Sequence, residues 1–84
     1  MRNPERIPEL LELIKELWAR DPDLRFNQLI YNLQREYSYE NNNAGKIIEV
    51  ASDGYESIGF DFFSLEDNVF IEFLKTKIRN EKNI

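Results

Sequence analysis

Cysteine and histidine are both absent from this sequence of 84 residues. Without cysteine there is no disulfide framework, no thiolate metal site and no cysteine nucleophile. Without histidine there is no side chain that titrates near neutrality, which excludes Ser-His triads, histidine-metal sites and imidazole bases. A metal would have to rest on carboxylate and carbonyl oxygens, the chemistry of Mg²⁺, Ca²⁺ or Mn²⁺. Glycine is scarce, with three in the chain. Gly45-Lys46 has neither the upstream glycine nor the following Ser/Thr of a phosphate-binding loop. Long apolar runs are missing as well, and no stretch approaches the ~18 apolar residues of a membrane span. The start, Met1-Arg2-Asn3-Pro4-Glu5-Arg6, has no apolar signal-peptide core. These absences predict a soluble, cytoplasmic protein with no cofactor.

Apolar residues make up 42% of the chain, with six Phe, four Tyr and one Trp, which is enough to drive folding. Eleven Lys+Arg stand against 16 Asp+Glu, a net charge of −5. The length predicts one domain, 1–84. A first helix is expected at about 4–20, where Ile7, Leu10, Leu11, Ile14, Leu17 and Trp18 recur at helical spacing. Asn3 is its expected N-cap and Pro4 its first residue, with Pro8 distorting or restarting the first turn. Asp21-Pro22-Asp23 ends it, because a residue before proline leaves the helical region. A second helix at about 24–37, capped by Asp23, carries Phe26, Leu29, Ile30, Leu33 and Tyr37. A third, at about 65–80, follows Ser64-Leu65-Glu66-Asp67, which has capping-box spacing with Asp67 as the partner of Ser64.

The irregular region 38–63 holds all three glycines. Segments 46–51 and 55–60 flank Asp53-Gly54, a hairpin signal. The competing pattern is a short helix through Ala44, Ile47, Ile48 and Ala51, ended by Gly54. The expected fold is therefore mostly α, a compact three-helix domain with a β-hairpin-like insertion between the second and third helices. The alternative is an all-α chain of four helices. One core is expected from Leu11, Ile14, Trp18, Phe26, Ile30, Leu33, Phe70, Phe73 and Leu74.

Arg2-Asn3-Pro4-Glu5-Arg6-Ile7 and Pro22-Asp23-Leu24-Arg25-Phe26-Asn27-Gln28-Leu29 together resemble a family of small, uncharacterised bacterial and phage-borne proteins. Its pattern is an Arg-x-Pro-x-Arg-Ile start and a Pro-Asp-Leu-Arg-x-x-Gln-Leu core. Asp61-Phe62-Phe63-Ser64-Leu65-Glu66-Asp67 stands where that family has an acidic, aromatic stretch before its last helix. The similarity covers about residues 2–34 and 60–75, and the segment between them is longer here. The resemblance implies a helical fold and no known activity.

Glu5, Glu9, Glu12 and Glu16 fall on one stripe of the first helix. Such a stripe is either a solvated face or a phosphate-mimicking edge for a nucleic-acid-binding protein. Gln28, Tyr31, Asn32 and Arg35 form a polar row on the second helix, of types that read bases. A net charge of −5 opposes direct nucleic-acid binding. Lys75, Arg79 and Lys82 line one face of the third helix, where they suit its dipole. Asp61, Glu66 and Asp67 are the densest carboxylates, and no catalytic set emerges from them. Tyr39, Tyr55, Phe60, Phe62 and Phe63 are the candidate partner-binding residues, because exposed aromatics mark interfaces. The expected function is a non-enzymatic protein-binding or regulatory module whose partner is another protein. Its rivals are an acidic nucleic-acid mimic, then a helical DNA-binding domain. The wide apolar girth of the third helix also raises a homodimer through that helix.

Overall fold

The computed structural model describes residues 2–82, and side chains for residues 2–81. Three helices, α1 (Arg6–Ala19), α2 (Phe26–Glu40) and α3 (Asp67–Lys82), and a hairpin of β1 (Lys46–Val50) and β2 (Glu56–Phe60) follow one another in the order α1-α2-β1-β2-α3. The protein is mostly α, with the antiparallel hairpin between its second and third helices. The short helix that Ala44, Ile47, Ile48 and Ala51 could form is not made. The chain forms two compact units, one containing α1 and α3, the other Phe26–Phe63.

In the first unit, α1 begins later than Asn3 and Pro4 suggest. Arg6 N–H bonds to Asn3 O at 3.2 Å, and Asn3 Oδ1 accepts the N–H of Glu5 at 3.0 Å. Glu5 takes the N-cap position, so Pro8 becomes the third helical residue. An N–H there has no acceptor within the helix, and proline costs nothing by lacking one. The expected distortion is therefore unnecessary. The helix closes with Arg20 N–H on Leu17 O and Asp21 N–H on Trp18 O, just before Pro22. The Trp18 indole N–H then holds Leu24 O at 2.8 Å.

α1 packs against α3. α3 starts at Asp67, and the N–H groups of Val69 and Phe70 bond to Glu66 O. Ser64 is not the N-cap of a capping box, because the helix begins at Asp67 itself, whose Oδ2 accepts from Arg6 Nε at 2.7 Å. Leu17, Ile71, Leu74 and Ile78 are buried in these two helices. That burial leaves Val69 as the exposed large apolar side chain of α3 among the described residues.

In the second unit, α2 runs to Glu40, three residues further than the apolar pattern suggests. Its end is made by the asparagine run. Asn43 N–H reaches back to Ser38 O at 2.8 Å, with Asn42 at φ 59°, and Asn41 Nδ2 donates to Tyr37 O. Asparagine tolerates the left-handed region that such a helix end requires. The hairpin closes with Ala51 N–H on Tyr55 O and Gly54 N–H on Ala51 O. Gly54 sits at φ 87°, the left-handed position of a three-residue hairpin loop. The register pairs Ile48 with Ile58 and Lys46 with Phe60. Phe60 then meets Tyr31 at 5.5 Å and stacks on Phe62 at 6.2 Å, while Phe62 meets Tyr37 edge-on at 5.4 Å.

The expected core is corrected in two places. Leu11 is 62% exposed and Phe26 is 48% exposed. Leu33 and Leu74 are buried, and Ile14, Trp18, Ile30, Phe70 and Phe73 are half-buried. The buried apolar residues of α2, Leu29, Leu33 and Tyr37, belong to the expected stripe, and on α1 Leu17 is buried with Leu10, Leu13, Ile14 and Trp18 half-buried around it. A helix with apolar residues around much of its circumference offers more than one inward face.

Candidate protein-binding surface

β1 is exposed at all five of its positions. Its main-chain orientation follows from the ladder. Gly45 O accepts from Asp61 N–H and Ala51 N–H bonds to Tyr55 O, so these two pairs are hydrogen-bonded. Alternation along an antiparallel ladder then turns the polar groups of Ile47 and Glu49 toward β2 and those of Lys46, Ile48 and Val50 outward. Lys46 N–H is taken by Asn43 O at 3.2 Å, so the outer edge of β1 offers the N–H groups of Ile48 and Val50 and the C=O groups of Lys46, Ile48 and Val50. Lys46, Ile48 and Val50 share a face with Glu56, Ile58 and Phe60. Ile47 and Glu49 lie on the other face with Ser57 and Gly59. Ile47, Ile48, Val50 and Ile58 are all exposed, so both faces of the ribbon carry apolar surface.

A cleft of about 590 Å³ opens beside the hairpin, lined by Tyr31, Arg35, Tyr39, Lys46, Ile58 and Phe60. Ser38 also borders it, and its buried hydroxyl has no hydrogen-bond partner among the described residues. The charge of this unit is one-sided. Residues 26–63 hold Arg35 and Lys46 against Glu36, Glu40, Glu49, Asp53, Glu56 and Asp61, which is −4 of the chain's −5. Asp53 and Asp61 accept backbone N–H groups from Tyr55 and Phe63. No ion pair engages Glu49 or Glu56 among the described residues.

The predicted aromatic set divides. Tyr39 is 84% exposed, Tyr55 is 70% exposed and Phe63 is 96% exposed. Phe60 and Phe62 are half-buried and serve the packing of their own unit against α2. The exposed three do not converge on one spot. Tyr39 lines the cleft, whereas Tyr55 follows the register onto the opposite face of the ribbon. The exposed isoleucines and Val50 were not expected as surface. The adjacent pair Ile47-Ile48 signals them, because neighbouring strand residues point to opposite faces.

The acidic stripe of α1 is interrupted. Glu9 pairs with Lys75 at 3.2 Å and Glu16 with Arg20 at 3.3 Å, while Glu5 and Glu12 line the same helix with Lys15 close by. Hydrogen bonding to Glu9, with its charge, raises the Lys75 pKa. Further along α3, Lys77 and Arg20 both reach Glu81, and the Lys77 hydrogen bond leads in holding that carboxyl below its usual range. At the start of α3, the Arg2 hydrogen bond likewise lowers the Glu66 pKa. Asp61, Glu66 and Asp67 each have a partner of their own, the Phe63 N–H, Arg2 and Arg6. Among the described residues no group of three or more acidic side chains could hold a metal ion, and no helix is long and apolar enough to cross a membrane. The side chain of Lys82 lies outside the described residues. On α2, Gln28, Asn32 and Arg35 face solvent, and Tyr31 is engaged with Phe60. No protein-family model, curated protein or solved structure matches the chain.

Proposed function

We propose that this chain is a non-enzymatic protein-binding module and that the hairpin is its binding element. The observation that carries the reading is β1, exposed along its whole length with isoleucine or valine on both faces and an unpaired main-chain edge. A two-stranded ribbon of this kind is marginal alone, and its apolar surface is covered when a partner docks. The acidic-mimic reading draws less support from α1, because Lys75 and Arg20 neutralise two of its four glutamates.

A photo-crosslinking side chain placed at Ile48, with a control at Lys15 on α1, tests the proposal in lysate. The expected result is a discrete protein adduct from position 48 that excess unlabelled chain competes away. Adducts from position 15 alone, or from neither position, would show that the hairpin is not the binding element.

A further inference from the structure

Resting on that reading, we infer that the partner is a basic, strand-forming segment of another protein, which adds to the free edge of β1. The edge is geometrically ready. Ile48 and Val50 turn free N–H and C=O groups outward at the two-residue spacing of an incoming strand, and Lys46 adds its C=O, its N–H being held by Asn43 O. Proteins blunt such edges with proline, bulges or charge. β1 has neither proline nor bulge, and its one cation, Lys46, stands at the end.

Charge selects the occupant. The unit is −4, and Glu49 sits mid-strand on one face without an ion pair among the described residues. An added strand places alternate side chains on the two faces of the ribbon. Those beside Ile48 and Ile58 meet apolar surface, and those beside Glu49 meet a carboxylate. The complementary sequence alternates apolar and basic residues, since opposite charges across neighbouring strands stabilise and like charges do the reverse. A second copy of the chain fits poorly. Two units of −4 would approach one another, and two-fold pairing about Ile48 would put the two Glu49 side chains on a common face at diagonal positions.

The test uses the full chain, ¹⁵N-labelled, with a synthetic peptide of about ten alternating Arg and Val residues, a length that covers one strand. Peptides alternating Glu with Val and Arg with Pro are the controls. Before peptide is added, the amides of Ile48 and Val50 should exchange quickly with solvent, and those of Glu49 and Ala51 slowly. The Arg–Val peptide should bind and slow exchange at Ile48 and Val50. Its affinity should fall at least about tenfold as salt rises through the range that screens surface charge. Glu49→Lys should weaken it about tenfold or more, because an attraction becomes a repulsion. Ile48→Pro should abolish it while leaving the ladder, because that N–H faces outward. If Glu49 and Ala51 lose protection in the proline variant, Glu49→Lys alone decides.

Equal binding of the Arg–Pro peptide would reduce the effect to charge and overturn strand addition. Preference for the Glu–Val peptide, or no binding of the Arg–Val peptide, would overturn the charge assignment. Protection of the same two amides on concentrating the chain alone would give the edge to a second copy. A failure here with crosslinks still formed at position 48 removes this inference and leaves the binding-module reading standing.

Discussion

The ring of Phe62 lies so close to the backbone of Gly45 that a Cβ there would stand 2.6 Å from its Cε1, and 2.9 Å from Asp61 O. Gly45 is also at φ 74°, where an L side chain is strained. Gly45→Ala should therefore destabilise by about 2–4 kcal/mol, from crowding and left-handed strain together. Gly54→Ala, at φ 87° but in open space, should cost only about 1 kcal/mol. Urea midpoints measure both, and equal shifts would show that the contact with Phe62 adds nothing.

Ser38 is 1% exposed, with an unpartnered hydroxyl in the last turns of α2. Such a group lost its hydration on folding and regained no hydrogen bond. Ser38→Ala should raise stability by about 0.5–2 kcal/mol, helped by the better helix propensity of alanine. A lower thermal midpoint in the variant would mean that the hydroxyl does have a partner in solution.

Leu74 is fully buried and Leu11 is 62% exposed, although both belong to apolar helical patterns. Leu74→Ala should cost about 2–5 kcal/mol, and Leu11→Ala within about 0.5 kcal/mol. Chemical denaturation that ranked them the other way would contradict the orientation of α1.

Stability should depend on acid through Glu81. Its pKa is lowered in the folded state, chiefly by the Lys77 hydrogen bond, with Arg20 adding to it. A depressed carboxyl stabilises above its unfolded value and loses that contribution as pH falls through the folded one. The loss thus begins near the usual glutamate value of 4.5 and is complete below it. Glu81→Gln should flatten the dependence of unfolding free energy on pH across that window. At the alkaline end, Lys75 works in the opposite sense. Its raised pKa stabilises below the usual value of 10.5 and is lost as pH climbs through the raised one. A slope unchanged by Glu81→Gln would remove the carboxylate from the account.

Helices, breaks and hairpin were legible because each has a local cause. Apolar spacing of three and four marks α1, α2 and α3, Pro22 stops the first, and Asp53-Gly54 turns the strands. Asn3 Oδ1 does accept the Glu5 N–H as an N-cap would, but the turn that follows is closed by three-residue bonds, Arg6 N–H on Asn3 O and Ile7 N–H on Pro4 O, so the α-helix begins only at Arg6. Asn41, Asn42 and Asn43 read as low complexity in the sequence, whereas in the fold they end α2, Asn42 and Asn43 by their left-handed angles and Asn41 by its side-chain bond to Tyr37 O.

What the sequence alone determined was the set of elements, because propensity, capping and turn chemistry act within a few residues. Which apolar face turns inward was a tertiary decision. Leu11 and Leu17 are equally good residues on one helix, and only packing against α3 buries the second. The candidate surface has the same origin. Ile48 and Phe60 share one face of the ribbon, yet Phe60 has Tyr31 of α2 to cover it and Ile48 remains exposed. Strand alternation says that the two side chains point the same way, whereas the reach of α2 determines which of them meets water.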